Sequence, residues 1–207
     1  MSTELDVFYP IVPNFDWLRR IVPLGVRTIQ LRLKEASADE IARQIDASLD
    51  LCAHYHCQLI VNDHWREALK AGADYVHLGQ EDLAEADISK LKANGVRFGL
   101  SSHSLEELDV ALATNPDYIA LGPIWETKLK AMKWAPQGLE RLPIWRNRMG
   151  TIPLVAIAGI TLERAPLVID AGADSAAVIT DFVTHDDPEG RVAAWVAWAS
   201  SQRLSSN

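Results

Sequence analysis

Asn62-Asp-His-Trp-Arg-Glu-Ala-Leu-Lys-Ala-Gly-Ala-Asp-Tyr-Val-His-Leu-Gly-Gln-Glu-Asp82 is the stretch from which the fold is read. Asp63 follows the apolar run Leu59-Ile60-Val61, and Asp82 comes shortly after a second run, Tyr75-Val76-His77-Leu78. Between them lies a helix-like segment ending at Ala71-Gly72-Ala73. Successive parallel strands deliver their trailing loops to the same edge of a sheet, so this strand-helix-strand pattern lets Asp63 and Asp82 sit side by side. Paired carboxylates there suit a cation. Mg²⁺ keeps much of its water and is held by one or two carboxylates together with phosphate oxygens, which points to a phosphate-bearing ligand. Helix N-capping accounts for both acids equally well at this stage.

Working outward, short β-like runs alternate with helix-like segments along the whole chain. They are Val7-Phe8-Tyr9, Thr28-Ile29-Gln30-Leu31, Gln58-Leu59-Ile60-Val61, Tyr75-Val76-His77-Leu78, Arg97-Phe98-Gly99-Leu100, Tyr118-Ile119-Ala120-Leu121, Leu154-Val155-Ala156-Ile157 and Ser175-Ala176-Ala177-Val178-Ile179. Eight such runs close an α/β (βα)8 TIM barrel, expected here as a single domain over 1–207 with a frayed tail at 201–207. Gly25, Gly72, Gly95 and Gly172 precede strands and read as helix C-caps. An open doubly wound sheet is the alternative, but its first strand usually runs into a glycine-rich turn. Here that turn reads Pro10-Ile11-Val12-Pro13-Asn14. Ser37 with Glu40 and Ser104 with Glu107 have capping-box spacing, and Thr161 before Arg164 marks a third helix start. The apolar, tryptophan-rich segment Val192 to Trp198 is expected to pack across the outside of the barrel.

A chain of 207 residues, 48% hydrophobic, can bury one sizeable core. A net charge of -8 leaves no broad basic footprint, which argues against nucleic acid and anionic membrane as partners. The acidic start Met1-Ser2-Thr3-Glu4-Leu5-Asp6 does not read as a secretory signal, and no apolar run reaches membrane-span length, so a cytoplasmic location is expected. Cys52 and Cys57 read as free thiols, and with His54 and His56 they match no usual zinc spacing. A homo-oligomer is compatible with everything above.

In such a barrel the working groups lie at the C-terminal ends of the strands. After the second run, alternation puts Gln30, Arg32 and Lys34 on one face and Leu31 and Leu33 on the other. An arginine fork and a lysine point charge could hold a diphosphate there; a solvated strand edge is the alternative. Ser101, after the fifth run, could orient a phosphate or polar ring. Without a Gly-x-Ser-x-Gly elbow it does not read as a nucleophile. Gly122 to Trp134 forms a long loop with three lysines, which reads as a lid for an anionic substrate. Gly159, Ile179 and Thr180 lie where barrels build phosphate sites, although Gly159 could equally mark a tight turn. His77 and His103 close strands and are candidates for ligand contact, whereas His64 and His185 carry no distinctive signal.

Gln30-Leu-Arg-Leu-Lys34, Val61-Asn-Asp63, Val76-His-Leu-Gly-Gln-Glu-Asp-Leu83, Gly99-Leu-Ser-Ser-His103, Leu121-Gly-Pro-Ile124 and Ala156-Ile-Ala-Gly-Ile160 together resemble the thiamine-phosphate synthase family, in order and over nearly the whole chain. The resemblance implies an enzyme joining 4-amino-2-methyl-5-(diphosphomethyl)pyrimidine to 4-methyl-5-(2-phosphoethyl)thiazole, small-molecule substrates both. It implies Mg²⁺ on Asp63 and Asp82, and pyrimidine diphosphate at Gln30, Leu31, Arg32, Leu33, Lys34 and Asn62. Ser101 and Lys130 match further pyrimidine-side positions; Thr127, Lys128 and Leu129 match the thiazole phosphate segment; Gly159, Ile179 and Thr180 match its remaining contacts. By the same resemblance diphosphate would leave first and the thiazole nitrogen would attack the resulting cation, with Arg32, Lys34, Ser101 and Lys130 as the catalytic groups. Glu126, Leu129, Ala158 and Thr180 depart from the family pattern, and Leu129 has no hydroxyl for phosphate. A thiazole tautomerase-like enzyme of the same fold and a non-catalytic thiamine-phosphate binder are the competing readings.

Overall fold

The computed structural model describes residues 5–126 and 134–205. All eight runs form parallel strands: β1 (Phe8–Val12), β2 (Thr28–Leu31), β3 (Gln58–Asn62), β4 (Tyr75–Leu78), β5 (Arg97–Ser102), β6 (Tyr118–Leu121), β7 (Leu154–Ile157) and β8 (Ser175–Val178). They pair in chain order, and β1 closes the barrel on β8 through Phe8↔Ala176, Tyr9↔Ala177 and Pro10↔Val178. The helices are α1 (Phe15–Ile21), α2 (Ala38–His54), α3 (Trp65–Ala71), α4 (Gln80–Glu85), α5 (Ile88–Ala93), α6 (Leu105–Ala113), α7 (Arg141–Met149), α8 (Ala165–Asp170), α9 (Thr180–Val183) and α10 (Pro188–Ser205).

The period of two divides every strand between two cores. Outward side chains such as Phe8, Ile29, Val61, Leu78 and Leu100 pack under the helices. Inward ones, Tyr9, Ile11, Ile60, Tyr75, Tyr118, Ala120, Val155 and Ala177, fill the barrel. The helices answer with a 3.6 period: α2 buries Ile41, Ile45, Ser48 and Cys52 along one stripe. Its start is set by Ser37, whose hydroxyl accepts from the Glu40 N–H, as the Ser104 hydroxyl does from Glu107 for α6. Gly25 and Gly72 are left-handed caps, while Gly95 and Gly172 take the same conformation one residue beyond their helix caps. Both cysteines are buried free thiols.

Three boundaries differ from expectation. β1 runs through Pro10 to Val12, because Ile11 belongs to the interior and Ile11 and Val12 pair with Gln30 and Leu31; burial outweighs the proline signal. Thr161 opens a turn, and α8 begins only at Ala165. Of the expected frayed tail, 201–205 is helical within α10, where Arg203 Nη1 donates to both Asp6 carboxylate oxygens at 2.6 and 2.8 Å, while 206 and 207 lie outside the described residues. The face of α10 packs on the barrel as expected, with Trp195 stacked on Phe8 at 4.9 Å.

Gly99 on β5 leaves the space that the Tyr118 ring occupies: a Cβ there would lie 2.0 Å from that ring. A Gly99→Ala variant must push Tyr118 aside, and we expect a loss of about 1–3 kcal/mol in stability, read as a lower denaturation midpoint.

Candidate active site

At the C-terminal rim, β2 leads into Arg32 and Lys34, β3 ends at Asn62 and runs into Asp63, and the turn after β4 carries Gly79 to Asp82. Asp63 adopts a left-handed backbone, φ 64°, uncommon for a residue with a Cβ. Its N–H donates to the His77 carbonyl at 2.9 Å, extending the ladder beyond the strand. Its carboxylate receives the Lys34 ammonium at 2.7 Å and lies within hydrogen-bond reach of the Asp82 carboxyl. Asp82 also accepts from the Gly79 N–H at 3.2 Å, closing the first turn of α4. Asp82 therefore does take part in helix capping, whereas the cap position of α3 falls on His64 and leaves Asp63 to Lys34.

The two acids are pushed apart electrostatically. Burial raises Asp63, but the hydrogen bond and charge of Lys34 more than offset it and its pKa ends below the usual carboxylate range. Burial also raises Asp82, and the neighbouring Asp63 charge adds to that, so its pKa ends above the range despite the Gly79 N–H. The Arg32 guanidinium has no hydrogen-bond or ion-pair partner among the described residues, and its charge reaches His77.

Beneath this rim a polar thread crosses the barrel. Gln30 Nε2 donates to the Tyr9 hydroxyl at 2.7 Å, and Tyr9 and Tyr118 share a 2.8 Å bond. Tyr118 meets His77 Nδ1 at 2.7 Å, and His77 Nε2 meets Ser101 Oγ at 2.9 Å. Gln80 Nε2 fixes the Ser101 carbonyl at 2.5 Å. The reading of strand ends missed Tyr9, Tyr118 and Gln80. The signal available was tyrosine, rather than phenylalanine, at inward positions of two strands.

Other expected residues lie elsewhere. Leu31 and Leu33 are 0% and 3% exposed and point into the helix layer, so they offer the site only main-chain atoms, as the alternation requires. His103 is tied to Glu107 at 2.8 Å and stacked on Trp134, the first described residue after Glu126. Gly159, φ 68°, makes room for the protein's own chain: a Cβ there would be 2.6 Å from Trp125 and 2.8 Å from the Glu126 carbonyl. Its neighbour Ala158 holds φ 77°, a left-handed conformation that glycine takes more readily. Ile179 and Thr180 form the N-terminus of α9 on the adjacent strand end. Thr127, Lys128, Leu129 and Lys130 lie outside the described residues. A cavity of about 910 Å³ opens at the opposite end of the barrel, beside Arg27, Cys52, Asp74 and Arg203, so converging polar groups rather than empty volume mark the site.

A profile of the family described as "Thiamine monophosphate synthase" matches residues 9–182. The thiamine-phosphate synthase of Rhizobium etli is 54% identical over 194 residues, covering 94% of this chain and 95% of the relative. That of Neisseria meningitidis serogroup A is 46% identical over 92% of this chain and 93% of its own length. The solved thiamine phosphate pyrophosphorylase from Pyrococcus furiosus superimposes with a TM-score of 0.82 at 28% identity, covering 94% of this chain and 95% of that one.

Burial holds the His77 ring neutral, its pKa pushed down to about 4. Below its unfolded value near 6.5 the unfolded chain binds the extra proton first, so stability falls as pH drops from about 6.5 towards 4. NMR titration of the substrate-free protein should show this ring titrating near pH 4; a midpoint above 6 would contradict the assignment.

Proposed function

The chain belongs to the thiamine-phosphate synthase family, a family of transferases, and from that premise we propose that its rim between β2 and β5 binds the pyrimidine diphosphate and releases diphosphate from it. What supports this most directly is the contact between the Asp63 and Asp82 carboxyls beside Lys34. Two acids in contact, one depressed and one raised, form an oxygen donor set with only two protein ligands, which fits Mg²⁺ completed by water and phosphate oxygens. Bound there, Mg²⁺ would neutralise charge on the departing diphosphate.

The protein's own groups do the rest. Arg32 offers a planar fork and Lys34 a point charge to the diphosphate, and Asn62 closes the same rim. Ser101 orients the pyrimidine side. As the C–O bond breaks, its electron pair leaves with diphosphate, and the lone pair of the thiazole nitrogen forms the new C–N bond. No enzyme nucleophile is required. Stabilisation of the leaving charge is therefore the main catalytic demand, met by Arg32, Lys34 and Lys130. Thr127, Lys128 and Leu129, with main-chain groups at Gly159, Ile179 and Thr180, complete the thiazole phosphate end. A tautomerase needs no diphosphate site and leaves Arg32, Lys34 and both acids without a role. A cytoplasmic location fits phosphorylated small-molecule substrates, and among the described residues no helix is long and apolar enough to cross a membrane.

The test is diphosphate release with both substrates and Mg²⁺. The wild-type chain should release diphosphate, and Asp82→Asn should lower the Mg²⁺-dependent rate on the order of 100-fold. An unimpaired Asp82→Asn enzyme, or no release by the wild type, would count against the proposal.

A further inference from the structure

We infer that a one-way hydrogen-bond chain through Tyr9 and Tyr118 locks His77 as its Nε2–H tautomer and thereby commits the Ser101 hydroxyl as a donor towards substrate. The substrate half of this rests on the function proposed above; the tautomer does not.

The direction follows from proton counting. Gln30 Nε2 can only donate, and it donates to the Tyr9 oxygen at 2.7 Å. Tyr9 has one proton left to give, and among the described residues its other hydrogen-bond partner is the Tyr118 oxygen at 2.8 Å. Tyr118, having accepted, gives its proton to His77 Nδ1 at 2.7 Å. Nδ1 is then an acceptor, so the proton of the neutral ring sits on Nε2 and is donated to Ser101 Oγ at 2.9 Å. The hydroxyl of Ser101 keeps its own proton free, since no other partner meets it among the described residues. Burial supports each step: it pushes both phenols far above their ordinary range, so they stay protonated, and keeps the imidazole neutral at pH 7. The ring stacking of His77 on Tyr118, 5.5 Å between centroids and 18° between planes, prevents the imidazole from turning over.

Gln30 is 2% exposed and Tyr118 is wholly buried, so water does not readily reverse the chain. Reversal would need the Gln30 amide to flip and both phenols and the imidazole to exchange roles together. The consequence is chemical polarity at the rim: Ser101 favours an acceptor atom on the ligand, a ring nitrogen or a phosphate oxygen, over a donor at that place. Tyr9 and Tyr118 are positioning residues that act through His77 and Ser101.

The full chain labelled with ¹⁵N-histidine, free of substrate and metal, reports the tautomer directly, with the His77 signal identified by its loss in His77→Gln. The expected result is a single Nε2–H form. Tyr118→Phe removes the donor to Nδ1 and should give a tautomer mixture, with kcat for diphosphate release down about tenfold and KM for the thiazole phosphate nearly unchanged. Tyr9→Phe removes the Tyr9 donor to Tyr118 while leaving Gln30 within reach of it, and should shift the tautomer in the same sense, less far; it carries the test if Tyr118→Phe does not fold. An Nδ1–H wild-type ring overturns the inference, as does an unchanged tautomer in the variants. A wild-type protein that shows the Nε2–H form but releases no diphosphate upholds the chain of bonds and sinks the function instead.

Discussion

Two carboxyls brought into contact are the constraint around which the rim is arranged. Unscreened by a partner, two such charges about 4 Å apart repel by roughly 4 kcal/mol at an effective dielectric near 20. The Gly79 N–H that Asp82 accepts returns only about 1 kcal/mol. A helix cap alone therefore does not explain why Asp63 stands where it does. Lys34 relieves Asp63, while the Asp82 carboxyl stays raised, so the pair still lacks positive charge. The divalent cation and diphosphate proposed above would supply that charge, and the neighbouring Arg32 would serve the same ligand.

The barrel makes this arrangement possible by fixing where each strand ends. Parallel pairing of Asn62 with His77 brings the turns after β3 and β4 to one rim. Inside, large and small residues interlock: Tyr118 fills the space left by Gly99 and stacks on His77, which in turn meets Ser101. Packing and polar threading thus use the same side chains.

Strand count, closure and the alternation at Gln30, Arg32 and Lys34 were legible because period-two burial leaves a direct mark in the sequence. β1 was read too short, since a proline looks local while the pairing that carries the strand to Val12 is not. The end of α10 was read as loose because its anchor, Asp6, lies at the other end of the chain. Tyr9 and Tyr118 were invisible as a pair for the same reason: nothing in either strand announces that two hydroxyls from opposite parts of the chain meet. Gly159 was read as either a phosphate-site glycine or a tight turn, and the approach of Trp125 and Glu126, which a Cβ there would meet, could not be seen from the local sequence. Ala158, one of the expected departures from the family pattern, holds a left-handed backbone, a conformation that glycine takes more readily.

Crystals grown with Mn²⁺ and inorganic diphosphate test the central idea without any turnover. Anomalous scattering should place a single ion within about 2.1 Å of one oxygen from each of residues 63 and 82, with diphosphate completing its shell against Arg32 and Lys34. An ion bound elsewhere, or diphosphate seated on the rim with the two carboxyls still in direct contact and no metal between them, would contradict it.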